Sequence, residues 1–130
     1  MYELKFSVRD LEYRLEFKNR ICYIIDESGT GKTFLFSNLR NYCINNNVDF
    51  VLVDYNYSNK SEDEIINVCR NCSEIIILDN ADLYLTPKII DNLKAKLVIA
   101  SLKSSIGLRT DETGNYELVQ NGNVISVKRW

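Results

Sequence analysis

Apolar and polar residues alternate along the first part of the chain. Tyr2, Leu4, Phe6 and Val8 share one face of the first run, and Leu11, Tyr13, Leu15 and Phe17 share one face of the second. Side chains of a strand point alternately to opposite faces, so this period of two, broken at Arg9-Asp10, predicts a β-hairpin. From Ile21 the pattern changes. Residues 21–25 (ICYII), 48–55, 74–79 (EIIILD) and 96–102 (KLVIASL) are nearly continuous apolar runs rich in β-branched side chains, which is how strands covered on both faces read. Helical spacing fills the gaps between them. Residues 32–46 bring Phe34, Leu35, Leu39, Tyr42 and Cys43 to one side, and the triplet Asn45-Asn46-Asn47 closes that segment. After a polar loop over 55–60, Ser61 followed by Glu64 forms a capping box that opens a helix with Ile65, Ile66, Val68 and Cys69 inward. Thr86-Pro87 opens another helix through about Lys94, with proline at its first position.

Strand alternating with helix in this way predicts a parallel sheet with right-handed crossovers and helices on both faces. The tail supplies a second hairpin, 116–119 and 124–127 around Gln120-Asn121-Gly122, and residues 103–114 form a loop of the length that is usually functional or mobile. The reading is of one α/β domain over residues 1–130, because 130 residues at 45% hydrophobic content suffice for one core and not for two.

Charge and cysteine usage narrow the function classes. A net charge of −2 and a pI near 5.2 argue against a dominant nucleic-acid-binding surface, which shows as a basic excess or stripe. A local basic patch stays open, but its candidates, Lys94, Lys96, the 103–109 segment and Lys128-Arg129, are dispersed. With no charged-then-apolar leader and no apolar run long enough to cross a bilayer, a cytoplasmic protein without a membrane partner is expected. Cys22, Cys43, Cys69 and Cys72 fall in predicted strands and helices of a chain without histidine, so buried reduced thiols are expected. The Cys69-Arg-Asn-Cys72 spacing leaves half a zinc site or a redox pair as the alternative.

The candidate chemistry lies in residues 21–36, ICYIIDESGTGKTFLF, where an apolar strand runs into a glycine-rich turn and then an amphipathic segment. Small residues at a helix start offer convergent backbone N–H groups and the positive end of the helix dipole to a phosphate chain. Ser28, Gly29, Thr30, Gly31, Lys32 and Thr33 are the candidate cradle, and the chain resembles the P-loop NTPases, whose pattern is G-x-x-x-x-G-K-[ST]. The resemblance implies Lys32 reaching the β- and γ-phosphates and the Thr33 hydroxyl serving Mg²⁺. The sequence departs from the pattern at Asp26, where glycine is usual; with Glu27 it brings carboxylates toward a polyanion, so weaker nucleotide affinity is expected.

Glu74 to Asp79 resembles a Walker B strand, with Asp79 holding Mg²⁺ through water. Many relatives of this class place glutamate next, but here the residue is Asn80, an amide that can orient water and cannot accept its proton. Asp82 is the nearest spare carboxylate, either a water-positioning acid or an N-cap or turn acid opening the short segment Leu83-Tyr84-Leu85. Ser101 matches the polar residue that senses the γ-phosphate in P-loop ATPases with an inserted strand, or else simply ends a strand.

Residues 26–33 and 75–79, with the tail, are also similar to small ATP-binding proteins of low-GC Gram-positive bacteria and their mobile elements. The implied fold is a P-loop NTPase-like three-layer sandwich. Its central parallel sheet has the order 48–55, 74–79, 96–102, 21–25, flanked by the N- and C-terminal hairpins and lacking the helical lid of many ATPases. The implied ligand is a purine nucleoside triphosphate, ATP by resemblance, with Mg²⁺; no N-K-x-D string reads a guanine. Three activities remain open: a slow or partner-dependent ATPase, a non-enzymatic P-loop module switched by nucleotide, and a small-molecule kinase. In the first, a protein partner or second copy completes the site with an arginine. The 103–114 loop is expected to order over the site on binding, with Arg109 either reaching a phosphate of its own site or a neighbour's or simply solvating the loop.

Overall fold

The computed structural model describes residues 2–25, 32–103 and 110–129, with the backbone alone at 32–33. Strands β1 (Tyr2–Val8) and β2 (Leu11–Phe17) form the first hairpin, joined by Arg9-Asp10 with Arg9 at φ 54°. Strand β3 (Ile21–Ile25) precedes helix α1 (Lys32–Asn45), then come β4 (Phe50–Val53), α2 (Glu62–Cys69), β5 (Ile75–Leu78), α3 (Pro87–Asp91) and β6 (Leu97–Leu102). The hairpin of β7 (Thr113–Asn121) and β8 (Val124–Arg129) follows. The protein is α/β: these strands form one mixed sheet in the order β1-β2-β8-β7-β3-β6-β5-β4.

Within that sheet β3, β6, β5 and β4 are parallel neighbours in the expected order, with Ile25 opposite Leu102, Ala100 opposite Leu78 and Leu78 opposite Val53. Their continuous apolar sequences feed two cores. Ile21, Tyr23 and Ile25 of β3 face Ile65, Ile66 and Cys69 of α2 and Ile89 and Ile90 of α3. Cys22 and Ile24 face Leu35, Phe36, Leu39 and Cys43 of α1. An apolar side chain moved from water into such a core contributes about 1.5–3 kcal/mol, which is why both faces of β3 are apolar throughout.

The hairpins do not bracket the parallel strands. Both lie on the β3 side, where β7 runs parallel to β3 and β2 parallel to β8, so the sheet is continuous. On that side it embraces α1: Phe6 stacks between Tyr13 and Tyr42 at centroid distances of 4.7 and 4.9 Å. Asn38 of α1 donates its amide N–H to the Tyr13 hydroxyl at 2.8 Å.

Local chemistry sets the element ends. Ser61 and Thr86 accept hydrogen bonds from the backbone N–H of Glu64 and Ile89, as N-caps do, and Asn47 closes α1 at φ 54°. Helix α3 ends at Asp91 rather than near Lys94: at Asn92 the backbone N–H turns to the Ile89 and Ile90 carbonyls while its side-chain amide donates to the Lys88 carbonyl at 2.7 Å, and beyond it the Arg20 guanidinium holds the carbonyls of Leu93 and Ala95 at 2.8 and 3.0 Å. The last hairpin starts at Thr113, which brings Gly114 into a strand and shortens the 103–114 loop at its end. Its turn is Gly122-Asn123, with Gly122 at φ 60°, because Asn121 pairs with Val124.

Candidate functional site

Parallel strands deliver their carboxyl ends to one edge, and the register here aligns four of them. The residues that leave that edge are polar: Asp54 after β4, Asp79 after β5, and Ser101 near the end of β6, beside the end of β3. Ser101 is buried, and its hydroxyl donates to Asp79 Oδ1 at 3.0 Å while accepting the Asn80 N–H at 2.9 Å. One serine therefore fixes both the carboxylate and the backbone that follows it. The other oxygen of Asp79 has no hydrogen-bond partner among the described residues.

The turn after Asp79 is conformationally specific. Asn80 sits at φ 52°, ψ 45°, a left-handed conformation that asparagine reaches more readily than a longer or branched side chain. Its amide has no partner among the described residues. Behind it, the Tyr84 hydroxyl lies 2.7 Å from the Asp79 carbonyl and 3.1 Å from that of Val53, pinning the ends of β5 and β4 together. Burial, followed by the nearby Asp79 and Asp54 carboxylates, pushes the Tyr84 phenol well above its ordinary value, so it remains a neutral donor.

Of the residues singled out in the sequence, Asp79, Asn80 and Ser101 are brought together here. Asp82 is a turn acid rather than an N-cap. Asn80 occupies that position, and Asp82 is exposed within the turn Ala81–Leu83. Asp26, Glu27, Ser28, Gly29, Thr30, Gly31 and Arg109 lie outside the described residues, as do the side chains of Lys32 and Thr33. The backbone of Lys32 and Thr33 opens α1, with six residues between it and the end of β3.

Two contributors escaped the sequence reading. Asp54, which accepts the Asn56 N–H at 3.0 Å, closes an apolar strand just as Asp79 does, and that shared pattern was the available signal. Tyr84 carried no signal, since its hydroxyl reaches β4 only through the fold. The four cysteines are buried and unpaired. Burial holds the Cys22 thiol up at about 12 and those of Cys43 and Cys69 at about 11, and Cys72 donates its thiol to the Ile75 carbonyl at 3.1 Å. Such thiols are poor nucleophiles and poor ligands.

Two cavities open elsewhere. One of about 410 Å³ lies at the amino end of β3, among Arg20, Ile90, Asp91, Lys94 and Glu112. The other, about 510 Å³, lies between the first hairpin turn and the outer face of α1. No group of three or more metal-ligating side chains occurs among the described residues, and none of their helices is long and apolar enough to cross a membrane. Comparison with protein-family models, curated proteins and solved structures found no match to this chain.

Proposed function

We propose that this chain binds a Mg²⁺-loaded purine nucleoside triphosphate, ATP by resemblance, in a P-loop NTPase-like three-layer fold, and hydrolyses it slowly or only with a partner. The observation that carries the reading is the Ser101–Asp79 hydrogen bond at the carboxyl edge, one strand from the junction where β3 gives way to α1 and the string GTGKT ends. Backbone N–H groups of Gly29, Thr30 and Gly31, with Ser28, cradle the phosphates, and Lys32 neutralises the β- and γ-phosphates.

The Asp79 oxygen left without a partner among the described residues would hold Mg²⁺ through water, with the Thr33 hydroxyl as its other protein oxygen, so a single carboxylate would be enough. When bound, the ion supplies charge neutralisation to the departing phosphoryl group. Ser101 holds Asp79 in one rotamer and faces the γ-phosphate. Hydrolysis breaks the bond between the γ-phosphorus and the bridging oxygen, which leaves with the diphosphate, while the attacking water gives its proton to the released phosphate.

Asn80 orients that water without accepting the proton, and Asp82, exposed in the next turn, is the remaining nearby carboxylate. This favours binding over turnover, and it keeps a second reading in view: a non-enzymatic nucleotide-switched module. Calorimetry with Mg-ATP and Mg-GTP tests binding. Affinity at millimolar concentration or tighter, abolished by Lys32→Ala, is the expected result; no binding by either nucleotide overturns the proposal. Phosphate release separates the two readings: a clear wild-type rate lost in Asp79→Ala marks the enzyme. A low baseline that rises in Asn80→Glu marks the module, although glutamate at φ 52° carries a strain of about 1 kcal/mol.

A further inference from the structure

The cavity of about 510 Å³ beside α1 is of ligand size, and its lining combines an aromatic ring with amide and carboxylate groups. Phe34, Asn38 and Asn41 stand on one face of the helix at the i, i+4, i+7 spacing, opposite Asp10 and Leu11 of the first hairpin turn. Phe34 is 54% exposed, so the structure leaves a large aromatic ring half in water at the wall of a cavity. Asn38 is fixed by its hydrogen bond to Tyr13, whereas the exposed Asn41 has an amide donor and acceptor with no partner among the described residues. The Asp10 carboxylate adds acceptors only.

We infer that this cavity is the nucleoside subsite: the purine base of the bound nucleotide stacks on Phe34 and is read along its polar edge by Asn41 and Asp10. The inference rests on the proposed phosphate site. Position favours this occupant over any other, since Phe34 follows Lys32 by two residues, about 3 Å along the helix axis at 1.5 Å per residue. A triphosphate seated at the start of α1 therefore has its nucleoside in reach of the cavity. The chemistry agrees, because an aromatic face stacks on any base, and an amide matches the adjacent donor and acceptor of a purine edge. In this arrangement the N-terminal hairpin takes the part that a helical lid takes in many ATPases.

Titration of Mg-ATP, Mg-GTP and Mg-tripolyphosphate into the wild-type chain, Phe34→Ala, Phe34→Tyr and Lys32→Ala tests the assignment. The expected result is a nucleotide that binds at least about tenfold more tightly than tripolyphosphate. Phe34→Ala removes that advantage with tripolyphosphate unaffected, and Phe34→Tyr keeps it. Unchanged nucleotide affinity in Phe34→Ala, with binding lost in Lys32→Ala, overturns the base subsite and leaves the phosphate site standing. If neither nucleotide nor tripolyphosphate binds, or Lys32→Ala changes neither, the phosphate site itself fails and the subsite falls with it.

Discussion

The two ends of β3 treat polar groups in opposite ways. At the amino end, Arg20 gives its guanidinium to the carbonyls of Leu93 and Ala95 and to the Glu112 carboxylate, the last at 2.6 Å. Beside it the Tyr116 hydroxyl accepts the Lys18 N–H at 2.9 Å and donates to Asn19 Oδ1 at 2.7 Å, while the Asn19 amide donates to the Thr113 carbonyl. Each of these side chains finds at least one partner inside the protein, and Glu112 takes both of its bonds from Arg20 on one oxygen. At the carboxyl end, Ser101 satisfies one oxygen of Asp79, and the other oxygen and the Asn80 amide are left over among the described residues. Closed networks fix a fold, whereas polar capacity left at the carboxyl edge of a parallel sheet is available to a ligand.

The largest effect on this contrast is expected from Gly114→Ala. A Cβ at that position would lie 2.1 Å from Asn19 Oδ1 and 3.2 Å from the Tyr116 ring, so Asn19 must leave the network that joins β7 to the segment before β3. Overpacking of this kind costs about 3 kcal/mol, visible as a lower denaturation midpoint. Nucleotide affinity of the protein that remains folded should not change. A stable Gly114→Ala, or one that folds but loses nucleotide, would erase the distinction between the two ends.

Ser101→Ala should do the reverse. Losing the bonds to Asp79 and the Asn80 N–H costs about 1–2 kcal/mol, less than the clash at Gly114, because solvent reaches both partly buried partners. The effect on ligand binding should be of the same size as the effect on stability: a freed Asp79 rotamer weakens Mg-ATP by about tenfold, equivalent to 1.4 kcal/mol. Paired denaturation and calorimetry would check this, and a variant that is destabilised with unaltered Mg-ATP binding would make Ser101 an architectural residue like Asn19.

The same contrast explains what could be read in advance. The parallel strands and their order were legible because a strand buried on both faces has little freedom in composition, and EIIILD or KLVIASL cannot sit at a surface. Asp79, Asn80 and Ser101 were legible because they end such strands. The amino-end network was not. Arg20, Asn19 and Glu112 look like ordinary surface residues, and they acquire partners seventy or more positions away only when the sheet forms. Gly114 misled for the same reason, since in isolation a glycine after Asp-Glu-Thr reads as a loop. Its value is the room it leaves for Asn19.

The smallest expected effect isolates one contact of that network. Arg20 first hydrogen-bonds and then electrostatically stabilises the Glu112 carboxylate, holding its pKa below the ordinary 4.5. A carboxyl whose folded value is depressed binds its proton more readily in the unfolded chain, so its contribution is fully present above about pH 4.5 and fades as the pH falls through the lowered value. Glu112 is 56% exposed, and solvent screening keeps the contribution small. Arg20 would still hold the carbonyls of Leu93 and Ala95 in Glu112→Gln, so the fold should persist. The expected signature is a modest difference in Tm between wild type and Glu112→Gln that is constant from pH 7 to about 5 and closes below 4.5. A difference that stays constant down to pH 3 would show that the charge of Glu112 contributes nothing, and that Arg20 secures the amino end of β3 through backbone carbonyls alone.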